Sequence, residues 1–274
     1  MTIVASPSES VGQLRSRTVR SARMLALRSI RTIRRLPSAF FPALAMPVFN
    51  MIAFSGTFYA ITQLPGFPTD RSINWYMPLG IMMGSAFAGV GLGFTTIRDI
   101  QTGFYDRLRM SPTSRLSLVM GPILGSLVRV ILMCTLVIVL GVALGARFPG
   151  GILGVLCLYV AAMGIATAGA GWGLGLAYRF RDMRAAAIMQ LSIFVVMFLS
   201  TAQVPLQVMS GWLHSVARIN PATNVLRLAR TGLVDASSPD ALSWSSVWGG
   251  VVAVIALSTV TITFALRGLR KMQN

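Results

Sequence analysis

Six apolar stretches, at about 40–61, 77–97, 123–144, 152–178, 185–204 and 248–266, contain no acidic residue and share one basic residue, Arg129. Each is long enough, at 1.5 Å per residue, to cross about 30 Å of hydrocarbon. Inside lipid a single such segment satisfies its own backbone only as a helix. The sequence therefore predicts an all-α membrane protein with six transmembrane helices. Composition agrees: 54% of the 274 residues are hydrophobic and only 11% are charged, against about 25% in soluble domains.

The charges outside those stretches set an orientation. Of 24 basic residues, eight precede the first span, and Arg98, Arg107, Arg109 and Arg115 separate the second from the third. Arg179, Arg181 and Arg184 lie between the fourth and fifth, and Arg267, Arg270 and Lys271 follow the sixth. That side holds 18, whereas Arg71, Arg147, Arg218, Arg227 and Arg230 give the other side 5. Basic loops stay in the cytoplasm, so both termini are expected there. In a soluble protein a net charge of +17 would suggest nucleic acid. Here it is a topology signal, and no nucleic-acid partner is expected.

Residues 1–38 read as a cytoplasmic tail and a basic interfacial helix, and 39–274 as the membrane domain. Over 13–36, Leu14, Met24, Leu25, Leu27 and Ile30 are interleaved with eight arginines. This pattern suits a helix lying at anionic headgroups. No apolar stretch with a cleavage site occurs in this part.

Between the fifth and sixth spans lie about 40 residues too apolar for a solvated linker and too broken by Pro205, Gly211 and Pro221 for a span. Short helices lying in or re-entering the outer leaflet are expected, with Asn220 and Pro221 at the turn between them. Trp212 and His214 would sit at headgroup depth. Arg227 and Arg230, three apart and so on one face, would meet outer-leaflet phosphates or an acidic substrate. This segment reads either as a lid over a substrate exit or as a plug against ion leakage.

Glycines recur four apart in the second span (Gly80, Gly84; Gly89, Gly93) and cluster in the fourth (Gly169, Gly171, Gly173, Gly175). Such spacing brings helix backbones close, within the bundle or between subunits. Pro37, Pro42 and Pro47 are expected to cap and bend the first span. Cys134 and Cys157 stand in no metal or redox spacing.

No catalytic constellation emerges. His214, the single histidine, has no acidic or cysteine neighbour, and all seven acidic residues lie in tails or loops. That counts against a proton- or sodium-coupled carrier, which needs ionisable groups near mid-membrane. Arg129 either reaches headgroups or faces a pathway. A phosphate-binding loop requires Gly-x-x-x-x-Gly-Lys-Ser/Thr, and the only lysine, Lys271, stands in Leu-Arg-Lys-Met-Gln-Asn. If ATP drives this protein, another polypeptide hydrolyses it.

Two ordered patterns carry a resemblance. After the second span comes Arg98-Asp-Ile-Gln-Thr-Gly-Phe-Tyr-Asp-Arg-Leu-Arg-Met-Ser-Pro-Thr-Ser-Arg115. After the fifth come Leu199-Ser-Thr-Ala-Gln-Val-Pro-Leu206, Gly211-Trp-Leu213 and Asn220-Pro-Ala-Thr223. Both resemble the ABC-2-type permeases, in particular the daunorubicin/doxorubicin-resistance branch. The resemblance spans roughly 29–274. Other branches carry a glutamate-rich first loop, and Gln101 and Phe104 depart from it.

The resemblance implies the membrane subunit of a type-2 ABC exporter in the bacterial cytoplasmic membrane. It would move an amphipathic drug, secondary metabolite or lipid-like molecule outward. The alternatives are glycolipid or polysaccharide export by the same kind of machine, or a non-transporting membrane partner. Two separate ATPase subunits would bind ATP and magnesium, with no cofactor in this chain, and a second permease, identical or homologous, would complete the assembly. Residues 98–110 would form the coupling helix, with Gly103, Phe104, Asp106, Arg107, Leu108, Ser111, Pro112 and Arg115 at the contact with the ATPase. Pro205, Trp212, Asn220, Pro221 and Arg227 would belong to the outer lid.

Overall fold

The computed structural model describes residues 37–103, 115–235 and 241–273, and among them there are helices and no strands. In chain order they are α1 (Pro37–Thr57), α2 (Tyr59–Thr62), α3 (Ser72–Gln101), α4 (Arg115–Ala143), α5 (Gly151–Phe180), α6 (Ala185–Phe198), a 3-10 turn (Leu206–Val208), α7 (Gly211–Ile219), α8 (Pro221–Arg230) and α9 (Trp244–Gln273). Four carry stretches long and apolar enough to cross a membrane: Ser72–Gln101, Leu118–Ala143, Gly151–Phe180 and Trp244–Met272. Leu44–Thr57 and Ala185–Phe198 are shorter apolar helices. The basic segment 13–36, expected as an interfacial helix, lies outside the described residues.

The helices overrun most of the expected spans. A bilayer's apolar thickness limits the apolar run, while backbone hydrogen bonding continues into the interface. Thus the second expected span, 77–97, becomes the 30-residue α3, and the sixth, 248–266, becomes the 30-residue α9. Pro78 and Pro122 lie inside α3 and α4, and Pro37 opens α1, where its missing N–H costs nothing. The first span, expected to 61, is broken at Phe58 between α1 and α2. There Phe54, Phe58 and Tyr76 stack with centroids 5.7–6.1 Å apart.

The fifth expected span needs a correction. It was expected to run to 204, yet α6 ends at Phe198 after 14 residues, about 21 Å. Apolarity marks membrane depth; it does not force a helix when other groups take over the backbone. The next section describes those groups.

α5 forms the axis of the bundle, with α3 and α9 on its flanks; α1 and α4 lie against α3, and α6 fills the angle between α3 and α5. The central apolar stretch of α3 is 78% buried and that of α9 17%, so α3 is interior and α9 peripheral. Glycine makes the α3–α5 contact. A Cβ on Gly93 would stand 2.6 Å from the Gly173 carbonyl, one on Gly169 2.8 Å from that of Ala86, and one on Gly89 would strike the Ala166 carbonyl. The glycine rows of the second and fourth spans therefore serve packing within the chain.

Candidate functional site

At one end of the bundle the chain leaves α6 and runs from Leu199 to Ser210 with only the 3-10 turn as regular structure. Carbonyls freed in an apolar setting must find donors, since each unsatisfied group costs several kcal/mol. The donors come from three directions. Arg230, at the end of α8 and 1% exposed, gives Nη1 to Thr201 O and Nη2 to Ala202 O, both at 2.6 Å, and Nε to Trp75 O at 3.2 Å. Trp75 Nε1 and Tyr76 Oη, on the first turn of α3, donate to Gln203 O at 3.2 and 3.0 Å. Asn220 Nδ2 donates to Val196 O and Leu199 O at 2.7 and 2.9 Å.

Asn220 also caps α8. Its Oδ1 accepts the Ala222 N–H at 2.9 Å, and Pro221 occupies the first helical turn. The expected turn between two short helices is thus present, and one side chain ties the end of α6 to the start of α8. Asn74 plays a parallel part, donating to Arg147 O and Leu233 O while accepting from Arg147 N.

Arg230 corrects the expectation that it joins Arg227 in facing phosphates: it points inward to backbone carbonyls, whereas Arg227 is half-buried. Trp212 on α7 is 70% exposed, and Pro205 is buried just before the 3-10 turn. Sequence reasoning missed Trp75, Tyr76 and Asn74. Their partners are 73 to 159 residues away, and no local spacing announces them.

A second feature lies deeper. Leu44 and Pro47 of α1, Phe87 and Gly91 of α3, Arg129 and Met133 of α4, and Gln190 and Phe194 of α6 surround a cavity of about 470 Å³. Pockets that take small molecules span about 300–1,000 Å³ and combine apolar walls with a few polar groups. Here the polar groups are Arg129 and Gln190. Arg129 stands 14 residues into the 29-residue α4, about 21 Å from either end. Its Nε is buried and has no hydrogen-bond partner among the described residues, and no acidic residue lines the cavity. Arg129 lines this cavity.

At the opposite end from Arg230, α3 closes at Gln101, and Gly103 takes φ +68°, a left-handed turn that ends the helix. Arg115 begins α4. Phe104, Asp106, Arg107, Leu108, Ser111 and Pro112 lie outside the described residues.

A family model for the ABC-2 type transporter matches residues 20–234. The chain belongs to that family. The daunorubicin resistance ABC transporter permease protein of Streptomyces coeruleorubidus is 24% identical over 205 residues, which cover 74% of this chain and 71% of that protein. Family and apolar helices together make this a multi-pass membrane protein and a permease-type transport subunit. The loop patterns that carried the sequence resemblance fall within the matched region.

Proposed function

We propose that this chain is the permease subunit of an ATP-driven exporter that carries an amphipathic molecule with a neutral or anionic polar end. The Arg129 cavity carries this reading. A cation held among apolar helices costs about 2.5–3.5 kcal/mol even on the mildest scale, and such a cost is offset when a substrate supplies the partner. The cavity lies at mid-height in the bundle, with Arg129 midway along α4 and Phe87 midway along α3. The charge asymmetry supports six crossings with both termini inside, so that in this reading the ends bearing Arg115 and Ala185 face the cytoplasm, where an exporter loads.

Two ATPase subunits dock below in this reading and hold the ATP and magnesium, and a second permease, identical or homologous, faces this one in the bacterial cytoplasmic membrane. The ATPase contact runs through the segment after Gly103, with Phe104, Asp106, Arg107, Leu108, Ser111, Pro112 and Arg115 around it. The expected single coupling helix over 98–110 is corrected, because 98–101 are the last turn of α3 and the left-handed Gly103 ends that helix. A segment held between the ends of α3 and α4 pushes both when the ATPase closes. On the outer side, α7 and α8 form the exit lid, with Pro205, Trp212, Asn220, Pro221 and Arg227. The relative's name supports a drug or secondary metabolite as cargo, and Arg129 narrows its charge.

The test is transport into inside-out vesicles holding this chain with its ATPase. Paired probes share one apolar scaffold and end in a carboxylate, a neutral amide or a quaternary ammonium. Arg129→Gln should cut carboxylate transport roughly tenfold, the worth of one charge-assisted bond, and leave the neutral probe within about twofold. Preference for the quaternary ammonium in the unaltered protein would sink the charge assignment. Failure to move any probe, with ATP turnover intact, would sink the transport reading.

A further inference from the structure

At the end of the bundle nearest Gln101, the last turns of α5 and α9 part around a cleft of about 510 Å³. Arg179, Arg181, Arg267 and Lys271 line it, with Phe264 and the buried Tyr178 reaching further in. We propose that this cleft binds the phosphate headgroup of an anionic phospholipid, whose acyl chain follows Phe264 along the bundle.

Charge arithmetic separates this cleft from ordinary helix-end bias. Cations in a last turn offset the negative pole of a helix, equivalent to about −0.5 charge. Arg179 on α5 and Lys271 on α9 hold such positions. Two helix poles amount to about one negative charge, so four cations leave about three positive charges unbalanced. No acidic residue lines the cleft. The neighbouring Asp182 faces Arg184, 3.5 Å away and outside the lining.

The backbone supplies a second observation. Arg181 is the C-cap of α5 at φ 56°, the one non-glycine residue with positive φ among those described. Glycine fills this position at no steric cost, and strain held by a side chain points to a use for that side chain. The Gln101 amide reaches the Arg181 carbonyl at 3.5 Å, so α3 touches the same turn. A lipid is the occupant that fits, because the cations ring the outer part while Phe264, about two and a half helical turns before the end of α9, continues the wall into the apolar zone. Basic pockets between helices at this level are suited to acidic lipid headgroups.

The test uses the full-length chain purified in mild detergent, with native mass spectrometry and thermal unfolding as readouts. Phosphatidylglycerol should stay bound and raise the unfolding midpoint, whereas phosphatidylcholine should do neither. Arg181→Gly removes one cation and the strain together. It should unfold no lower than the unaltered chain without lipid, yet bind phosphatidylglycerol about fivefold more weakly. Arg267→Gln with Lys271→Gln should lose more, and Arg184→Gln with Arg270→Gln should lose nothing. Unchanged phosphatidylglycerol occupancy in both cleft variants would overturn the proposal. So would equal binding of phosphatidylcholine, or displacement by millimolar inorganic phosphate, which would reassign the cleft to a soluble anion.

Discussion

The guanidinium carbon of Arg230 sits 3.6 Å from the centroid of the Trp75 ring, and Arg230 Nε donates to the Trp75 carbonyl. Trp75 in turn passes its ring N–H to Gln203 O. The pair therefore joins α8, α3 and the chain leaving α6 at one point, and it replaces the helical bonds that α6 gives up after Phe198.

Arg230→Met should be among the most damaging single changes. It leaves the carbonyls of Thr201 and Ala202 without their guanidinium donors, at about 1–3 kcal/mol for each buried group. A loss of about 3 kcal/mol or more lowers the unfolding midpoint by about 6 °C or more in a chain of this size. Arg230→Lys should fall between, since a point ammonium cannot reproduce the planar fork. Thermal unfolding in detergent checks both.

At Asn220 two roles separate. Asn220→Asp keeps the oxygen that caps α8 and loses the amide that serves Val196 and Leu199; Asn220→Ala loses both. The expected order of stability is native, Asp, Ala, with the alanine variant down about 2 kcal/mol. Equal losses in the two variants would show that the cap contributes nothing.

Two neighbouring glycines on α3 predict opposite outcomes. A Cβ at Gly93 meets the Gly173 carbonyl and the Met189 side chain, whereas one at Gly91 meets nothing within 4 Å and faces the Arg129 cavity. Gly93→Leu should prevent accumulation of folded protein. Gly91→Leu should leave folded yield and unfolding unchanged and cut transport by filling the cavity. Folded yield by fluorescence-detected size exclusion, beside vesicle transport, reads both.

Asp235, whose N–H donates to Pro68 O at 3.0 Å, has its carboxyl pushed above the usual carboxylate range, first by burial and then by the neighbouring Asp70. The folded state therefore holds this proton more tightly than the unfolded chain. Its contribution to stability is complete below the ordinary carboxylate range and fades as pH rises through the raised value. Asp235→Asn should remove that pH dependence and hold the 66–71 loop at neutral pH. Hydrogen exchange of the Asp235 amide at mildly acidic and neutral pH is the measurement.

Much of this was legible in the sequence, and the boundary is physical. Uncharged runs located every long helix because hydrocarbon tolerates nothing else. Glycine rows located the α3–α5 seam because only hydrogen fits between carbonyls there. Arg129 stood out as the one ion in an apolar run, yet Gln190 and the cavity beside it depend on how four helices meet. The end of α6 was illegible for a similar reason. Residues 199–204 are apolar enough to continue a helix, and what stops it is a set of donors at Trp75, Tyr76, Asn220 and Arg230. Arg230 misled for the opposite cause: an arginine near an outer surface reads as wet, and three carbonyls at its reach make it dry.

The hydrogen-sized gaps between α3 and α5 have a mechanical consequence. Backbones that close together interlock like gear teeth, so neither helix slides or rolls past the other without first separating. In the proposed transport cycle, alternating exposure of a cargo then proceeds by levering at looser seams, and the seam around Arg129, where α1, α4 and α6 meet α3, holds empty space. In such a machine α3 and α5 are the frame, and α6, tied at one end by Asn220, is the rocker.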